Sequence, residues 1–173
     1  LGQIAEVAAA SLHKFEARHL SMTAIGFARL TFPAPAFFAA LVRLPASIVR
    51  EWSEQQLGNI MWATACVDVR HRPFLEVCRE RAVHLLQQVP CPLLDRHKRM
   101  LMQWHLWLEL EFTPEERRGL ILPSGTREML RASAAGTDVE DMSAFQRQVE
   151  TAVVALDLGT PLVASEFSTV DLH

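Results

Sequence analysis

Apolar side chains recur along the chain with a helical period, and this pattern is itself repeated. When residues 19–41 are aligned with residues 56–78, a shift of 37 positions, apolar residues fall on apolar residues and small residues on small ones. The matched pairs are Leu20 and Leu57, Ile25 and Trp62, Gly26 and Ala63, Ala28 and Ala65, Leu30 and Val67, Phe32 and Val69, Phe37 and Phe74, and Phe38 and Leu75. Small residues at such spacing allow two helices to pack closely. The pattern predicts helical hairpins of about 37 residues, the scale of an α-solenoid repeat.

Residues that start helices support this division. Ser53 and Gln56 have the spacing of a capping box, in which each side chain binds the backbone of the other residue. Pro33, Pro35 and Pro73 stand where the second helices of the hairpins would begin, a position that tolerates proline. The sequence therefore predicts a mainly α fold built from helical-hairpin repeats.

The predicted helical region covers residues 1–132. It contains repeats at approximately 13–49 and 50–86, followed by a degenerate third repeat at 87–132. Residues 4–12 fit the second helix of an incomplete earlier unit, and residues 93–112 keep a helical apolar period.

A different pattern follows the third predicted helix. Thr113, Pro114 and Glu116 predict another helix start, and Pro123 is expected to end that short helix. Residues 133–141 form a polar connector by composition.

The last predicted segment, residues 142–173, changes from helix to strand. It starts with a capping box at Ser143 and Gln146. The apolar face of the helix is formed by Phe145, Val149, Val153 and Leu156, and Gly159 ends it. "PLVASEF" and "STVDLH" then alternate as strands do. This order predicts the start of an α/β module.

Composition narrows the function classes. Charged residues interrupt every apolar stretch, so no membrane span is expected. Cys66, Cys78 and Cys91 lack metal-ligand spacing and are interpreted as plain buried thiols in a reducing compartment. The sequence contains no phosphate-binding loop, nucleophile elbow or His-Glu-x-x-His motif. We therefore expect no enzyme activity, no cofactor and no bound metal.

Charge is distributed unevenly around the net value of −3. Residues 70–99 contain seven Lys and Arg against three Asp and Glu, whereas residues 100–173 contain five against twelve. A basic middle suits a polyanion, although a solvated helix face explains the same charges. The candidate RNA-binding residues are Arg70, Arg72, Arg79, Arg96, Lys98 and Arg99.

Two other residue types have both a structural and an RNA-binding interpretation. Asn59 is suited to a base edge, but we favour a bracing role within a helix. The tryptophans at positions 52, 62, 104 and 107 are suited to stacking on bases. Trp62 shares an apolar column with Ile25, so we predict that it belongs to the core, and we predict the same for Trp104 and Trp107.

Three stretches together resemble a known family. "QQLGNIMWATACVDV" resembles the repeats of octotricopeptide-repeat and FAST-kinase-like organellar proteins, and "MLMQWHLWLELEF" resembles the helix that follows them. "SAFQRQVETAVVALDLG" resembles the helix and turn that lead into a RAP domain, a module similar to restriction-endonuclease-like folds. Glu166 and Asp171 fall at early acidic positions of that module, but its later acidic and lysine positions lie beyond residue 173. We therefore expect no nuclease chemistry, and we expect the chain to be part of a longer repeat-plus-RAP protein.

The resemblance implies an RNA-binding protein of mitochondria or plastids that acts in transcript stability, processing, translation or ribosome structure. We expect a mitochondrial ribosomal or ribonucleoprotein component that binds ribosomal or messenger RNA, with a plastid location as the alternative. Its other expected partners are neighbouring proteins of a large assembly. A second class remains open, namely a structural scaffold subunit of an organellar complex without RNA contacts, which the net acidity favours.

Overall fold

The computed structural model describes residues 1–135. Within them the structure contains no strand and eight α-helices, with a short 3-10 helix at Leu12–Lys14 between the first two. The helices are α1 (Gly2–Ala10), α2 (Ala17–Arg29), α3 (Pro35–Leu41), α4 (Ala46–Arg50), α5 (Glu54–Cys66), α6 (Arg72–Leu86), α7 (Asp95–Glu111) and α8 (Ser124–Ala135). The mainly helical fold is as predicted and is consistent with an α-solenoid. The predictions for residues 142–173 lie outside the described residues.

The first two hairpins reproduce the shift of 37 residues. Helices α2 and α5 both have 13 residues, and they begin at Ala17 and Glu54. Their partners α3 and α6 begin at Pro35 and Arg72, again 37 positions apart. The second helix of the first hairpin differs, because it is divided into α3 and α4 at Pro45. That division was not predicted.

The turn inside each hairpin also repeats. Thr31 and Asp68, which are 37 positions apart, both adopt a left-handed backbone, with φ values of 50° and 54°. An equivalent backbone hydrogen bond closes each turn, from Phe32 N–H to the Phe27 carbonyl and from Val69 N–H to the Thr64 carbonyl, both 2.9 Å. A left-handed residue with these bonds is a common helix ending because it satisfies the last carbonyl groups.

The helices pack in two layers. The first layer consists of α2, α5 and α7, in which α5 packs against both neighbours; in the second layer α1 packs on α3, and α4 packs on α6. Helices α5 and α7 run in the same direction. Gly58, near the start of α5, faces His97 near the start of α7, and Asp68, just after α5, accepts a hydrogen bond from Trp107 near the end of α7.

The core lies between these layers. Trp52, Phe37, Leu57 and Leu108 are fully buried there. Trp104 is also fully buried, which confirms its predicted place in the core. The capping box of Ser53 and Gln56 is present in both directions and starts α5 as predicted.

The prediction of a short helix after Thr113 is wrong. The capping bonds between Thr113 and Glu116 do form, but the chain continues through turns to Gly119, which has a φ of 82°. Leu120 and Leu122 are buried against the core, and arginines of α6 bind backbone carbonyls of this segment. These contacts compete with helical bonding. Pro123 precedes α8 instead of ending a helix.

Candidate functional site

Two predicted RNA-binding arginines on α6 hold the turns that follow α7. Arg72 donates through Nη1 to the Glu116 carbonyl at 2.7 Å and through Nη2 to the Arg118 carbonyl, while its Nε binds Glu76 at 2.8 Å. Arg79 donates through Nε to the Ile121 carbonyl at 3.0 Å. These bonds fasten the segment 113–122, which we call the turn segment, to α6.

Arg70 belongs to a junction between the C-terminal ends of α5 and α7. Its Nε donates to Asp68 Oδ1 at 2.9 Å, and its Nη1 donates to the Glu111 carbonyl at 3.0 Å. The guanidinium also lies 4.9 Å from the ring centroid of Phe112, and Asp68 raises the pKa of Arg70 by accepting its hydrogen bonds. Trp107 Nε1 donates to the same Asp68 at 3.2 Å. Trp107 is therefore half-buried in this junction.

The three remaining candidates lie at the start of α7. Arg96 is exposed and donates through Nε to His97 Nε2 at 3.2 Å. Lys98 pairs with Asp95 at 3.0 Å, and its side chain is only 17% exposed. Arg99 is half-buried, and its Nε has no hydrogen-bond partner among the described residues. The six candidates therefore form two groups rather than one surface, and RNA binding by either group stays a prediction.

On one side of the first layer, α2, α5 and α7 present exposed or half-buried side chains. On α5, which contacts α2, α6 and α7, the stripe that remains contains exposed Gln55 and half-buried Trp62. On α2, exposed Arg18 is equivalent to Gln55 by the 37-residue shift, and exposed Met22 follows it by one turn, whereas Ile25, the equivalent of Trp62, is buried. On α7 it contains Arg96, Arg99 and Leu106, at helical spacing. We call this side the outer face, and its members are Arg18, Met22, Trp62, Arg96, Arg99 and Leu106.

Trp62 differs from the other tryptophans of the chain. Trp52 and Trp104 are fully buried, and Trp107 is held by Asp68. Trp62 only packs against the edge of the core, so its predicted place in the core is only partly correct. Asn59, one turn earlier, is 6% exposed, which agrees with a bracing role more closely than with contact to a base.

Two buried histidines lie on the other sides of α7. Burial lowers the pKa of both His97 and His105, and nearby arginines lower it further. His105 Nε2 lies 3.3 Å from Glu109 Oε1, and Arg127 of α8 reaches the same carboxylate at 3.6 Å.

Burial also raises the pKa of the Cys78 thiol. All three cysteines are free, but the prediction that they are buried is correct only for Cys78, because Cys66 is exposed and Cys91 is half-buried. Residues 1–135 contain no group of three or more His, Cys, Asp or Glu suited to a metal ion.

Sequence reasoning missed Arg18 and misplaced Trp62. The signal was present in the spacing, because Arg18, Met22 and Arg29 follow one side of α2 at helical intervals. The charge count over residues 70–99 favours α6 as the binding element instead, but the arginines of α6 bind backbone carbonyls. No helix within residues 1–135 is both long and apolar enough to cross a bilayer.

Comparison with known proteins gives one partial similarity. Over 97 residues, 52% of this chain, the sequence is 30% identical to the RAP domain-containing protein, chloroplastic, of Oryza sativa subsp. japonica. The chain spans only 15% of the length of that protein. No family model matches the chain, and no solved structure matches it. The similarity therefore supports a link to RAP domain-containing proteins over about half of the chain, while the resemblance to octotricopeptide and FAST-kinase-like repeats stays a prediction.

Proposed function

We propose that this chain is an RNA-binding helical-repeat protein of an organelle and that it acts by binding rather than by catalysis. The observation that carries the proposal is the array of hairpins, in which α5 and α7 lie side by side and run in the same direction. Such arrays offer an extended surface on which side chains of successive repeats meet successive nucleotides. The partial similarity to a RAP domain-containing protein supports the same class.

Within this proposal the protein belongs to a ribosome or another ribonucleoprotein and stabilises ribosomal or messenger RNA. The resemblance of the repeats to organellar proteins led us to expect a mitochondrial location. The chloroplastic relative in rice supports the plastid alternative.

A protein-binding scaffold is the second candidate function, and one observation favours it. Arg70, Arg72 and Arg79 all bind groups of the protein itself, so they offer less charge to a polyanion than their number suggests. The net charge of −3 points the same way, because phosphate binding depends on available cations.

Ultraviolet crosslinking in intact organelles, followed by sequencing of the attached RNA, tests the proposal. We expect discrete crosslinks to ribosomal RNA or to a small set of transcripts. If the protein sediments in a large particle but gives no crosslink above background, the scaffold function replaces RNA binding.

A further inference from the structure

Positive charge predominates among the described residues of the outer face. Helix α2 contains no acidic residue, and Arg18 lies exposed on it. On α7, Arg96 and Arg99 lie on the outer face. Asp95 is paired with Lys98, which lowers its pKa most, and the nearby charge of Arg99 lowers that pKa further. Glu109 is turned toward Arg127. The acidic residue of α5 is Glu54, at its first position and off the stripe of Gln55 and Trp62. Within the described residues, no ion pair therefore joins a carboxylate to Arg18, Arg96 or Arg99.

Apolar side chains lie between these charges. Met22 is 54% exposed and Leu106 is 38% exposed, on the two helices that flank α5. Trp62 lies between them on α5, half-buried and without a hydrogen-bond partner among the described residues. An aromatic ring anchored by the core and open on one side is suited to stacking, since its orientation is already restricted.

From this arrangement we infer that the outer face binds single-stranded RNA, with a base stacked on Trp62 and neighbouring phosphates bound by Arg96 and Arg99. The inference rests on the proposed function and assigns it a site. Guanidinium groups that form no ion pair with a described carboxylate complement a phosphate backbone. Stacking on a side chain requires a base that has left its own helix, so a single strand fits this face better than a duplex.

The six basic candidates then have two different roles, RNA binding and stabilisation of the fold. Arg96 and Arg99 belong to the proposed path, and Arg18 extends it across α2. Arg70, Arg72 and Arg79 hold the protein together instead, and Lys98 neutralises Asp95. RNA binding is therefore assigned to the first layer and not to α6.

Fluorescence anisotropy of a labelled oligouridylate with the full 173-residue chain provides the test. Trp62→Ala should weaken binding roughly tenfold, as loss of one base stack does, while Trp62→Phe should recover most of the affinity. The double variant Arg96→Gln/Arg99→Gln should weaken binding and reduce the slope of log affinity against log salt by about 1.4, at about 0.7 per phosphate contact. Circular dichroism should be unchanged in all three variants.

Arg43→Gln is the control, because Arg43 is exposed like Arg96 but lies between α3 and α4 in the second layer. It should bind RNA as the unaltered chain does. A complementary duplex of the same length should bind more weakly than the single strand and should respond little to Trp62→Ala.

The possible failures are distinguishable. If the unaltered chain binds the oligonucleotide but the Trp62 and Arg96/Arg99 variants bind equally well, the outer face is not the site, although RNA binding stands. If the unaltered chain binds no single-stranded RNA, both the site and the proposed function are wrong. If Trp62→Ala instead releases a protein partner from the native particle, the outer face is a protein-binding surface and the inference is overturned.

Discussion

The arginines of α6 and those of the outer face differ in what their guanidinium groups contact. Arg72 and Arg79 donate to backbone carbonyls of the turn segment, more than 40 residues further along the chain. The side chain of Arg18 is exposed and forms no hydrogen bond or ion pair with a described residue, and the Arg96 guanidinium donates to a neighbouring histidine ring. The first set stabilises the fold, whereas the second set remains available to a partner.

This difference shows why charge counted along a sequence does not measure the charge offered to a ligand. A guanidinium has five donors in a fixed plane, so a single arginine can satisfy several carbonyl groups left open by a turn. The turn segment has such carbonyl groups because it does not form a helix. The turn segment therefore occupies the guanidinium groups of Arg72 and Arg79, which are then less available to a ligand.

The largest expected effect comes from removing the two arginines that hold the turn segment. Arg72→Met/Arg79→Met should lower the free energy of unfolding by about 2–3 kcal/mol, because charge-assisted hydrogen bonds to otherwise open carbonyls are lost, discounted for the partial exposure of Arg72. Urea denaturation measures the change. The double variant Arg18→Met/Arg43→Met serves as the control and should remain near the stability of the unaltered chain. Equal stability of the two double variants would contradict the bracing role.

An intermediate effect is expected at the two left-handed turn positions. Thr31→Gly should stabilise the protein by about 0.5–1 kcal/mol, because glycine adopts a positive φ without steric cost. Asp68→Gly relieves the same strain but removes the acceptor of Arg70 and Trp107, so a net loss of about 1 kcal/mol is expected. Thermal unfolding of the two variants should therefore shift in opposite directions. Shifts in the same direction would show that Asp68 does not hold the junction.

The smallest effect is expected at an arginine that pairs only with an exposed carboxylate. Arg50 of α4 lies 3.2 Å from Glu80 of α6, and both side chains are more than half exposed. Because solvent screens such a pair, Arg50→Gln should change the free energy of unfolding by less than about 0.5 kcal/mol. Urea denaturation of Arg50→Gln and of the Arg72→Met/Arg79→Met variant under the same conditions provides the comparison. If both variants lose the same free energy of unfolding, the distinction between bracing and surface arginines is wrong.

The sequence predicted those parts of the fold that local signals determine. The 37-residue shift follows from apolar and small residues at helical spacing, and the start of α5 follows from Ser53 and Gln56. The left-handed residues Thr31 and Asp68 carry no comparable signal, because neither is glycine. The break between α3 and α4 does have a local signal, because Pro45 disfavours a helical conformation of the residue before it.

Contacts between distant residues explain most of the errors. Thr113 and Glu116 form the predicted capping bonds, yet arginines of α6 and the burial of Leu120 and Leu122 prevent the helix that should follow. Trp62 was assigned to the core from its alignment with Ile25, which is 5% exposed. The two positions are equivalent in the repeat, but the large indole extends to the uncovered edge of α5 while the smaller Ile25 side chain stays inside.

The most direct test of the account is to locate the RNA on the protein. A single-stranded RNA that contains 4-thiouridine would be crosslinked to the full chain, and the modified peptides would be identified by mass spectrometry. If the outer face binds the RNA, adducts are expected on peptides of the first layer, at Trp62 and in the region of Arg96 to Leu106. Adducts confined to α6 and the turn segment would contradict it.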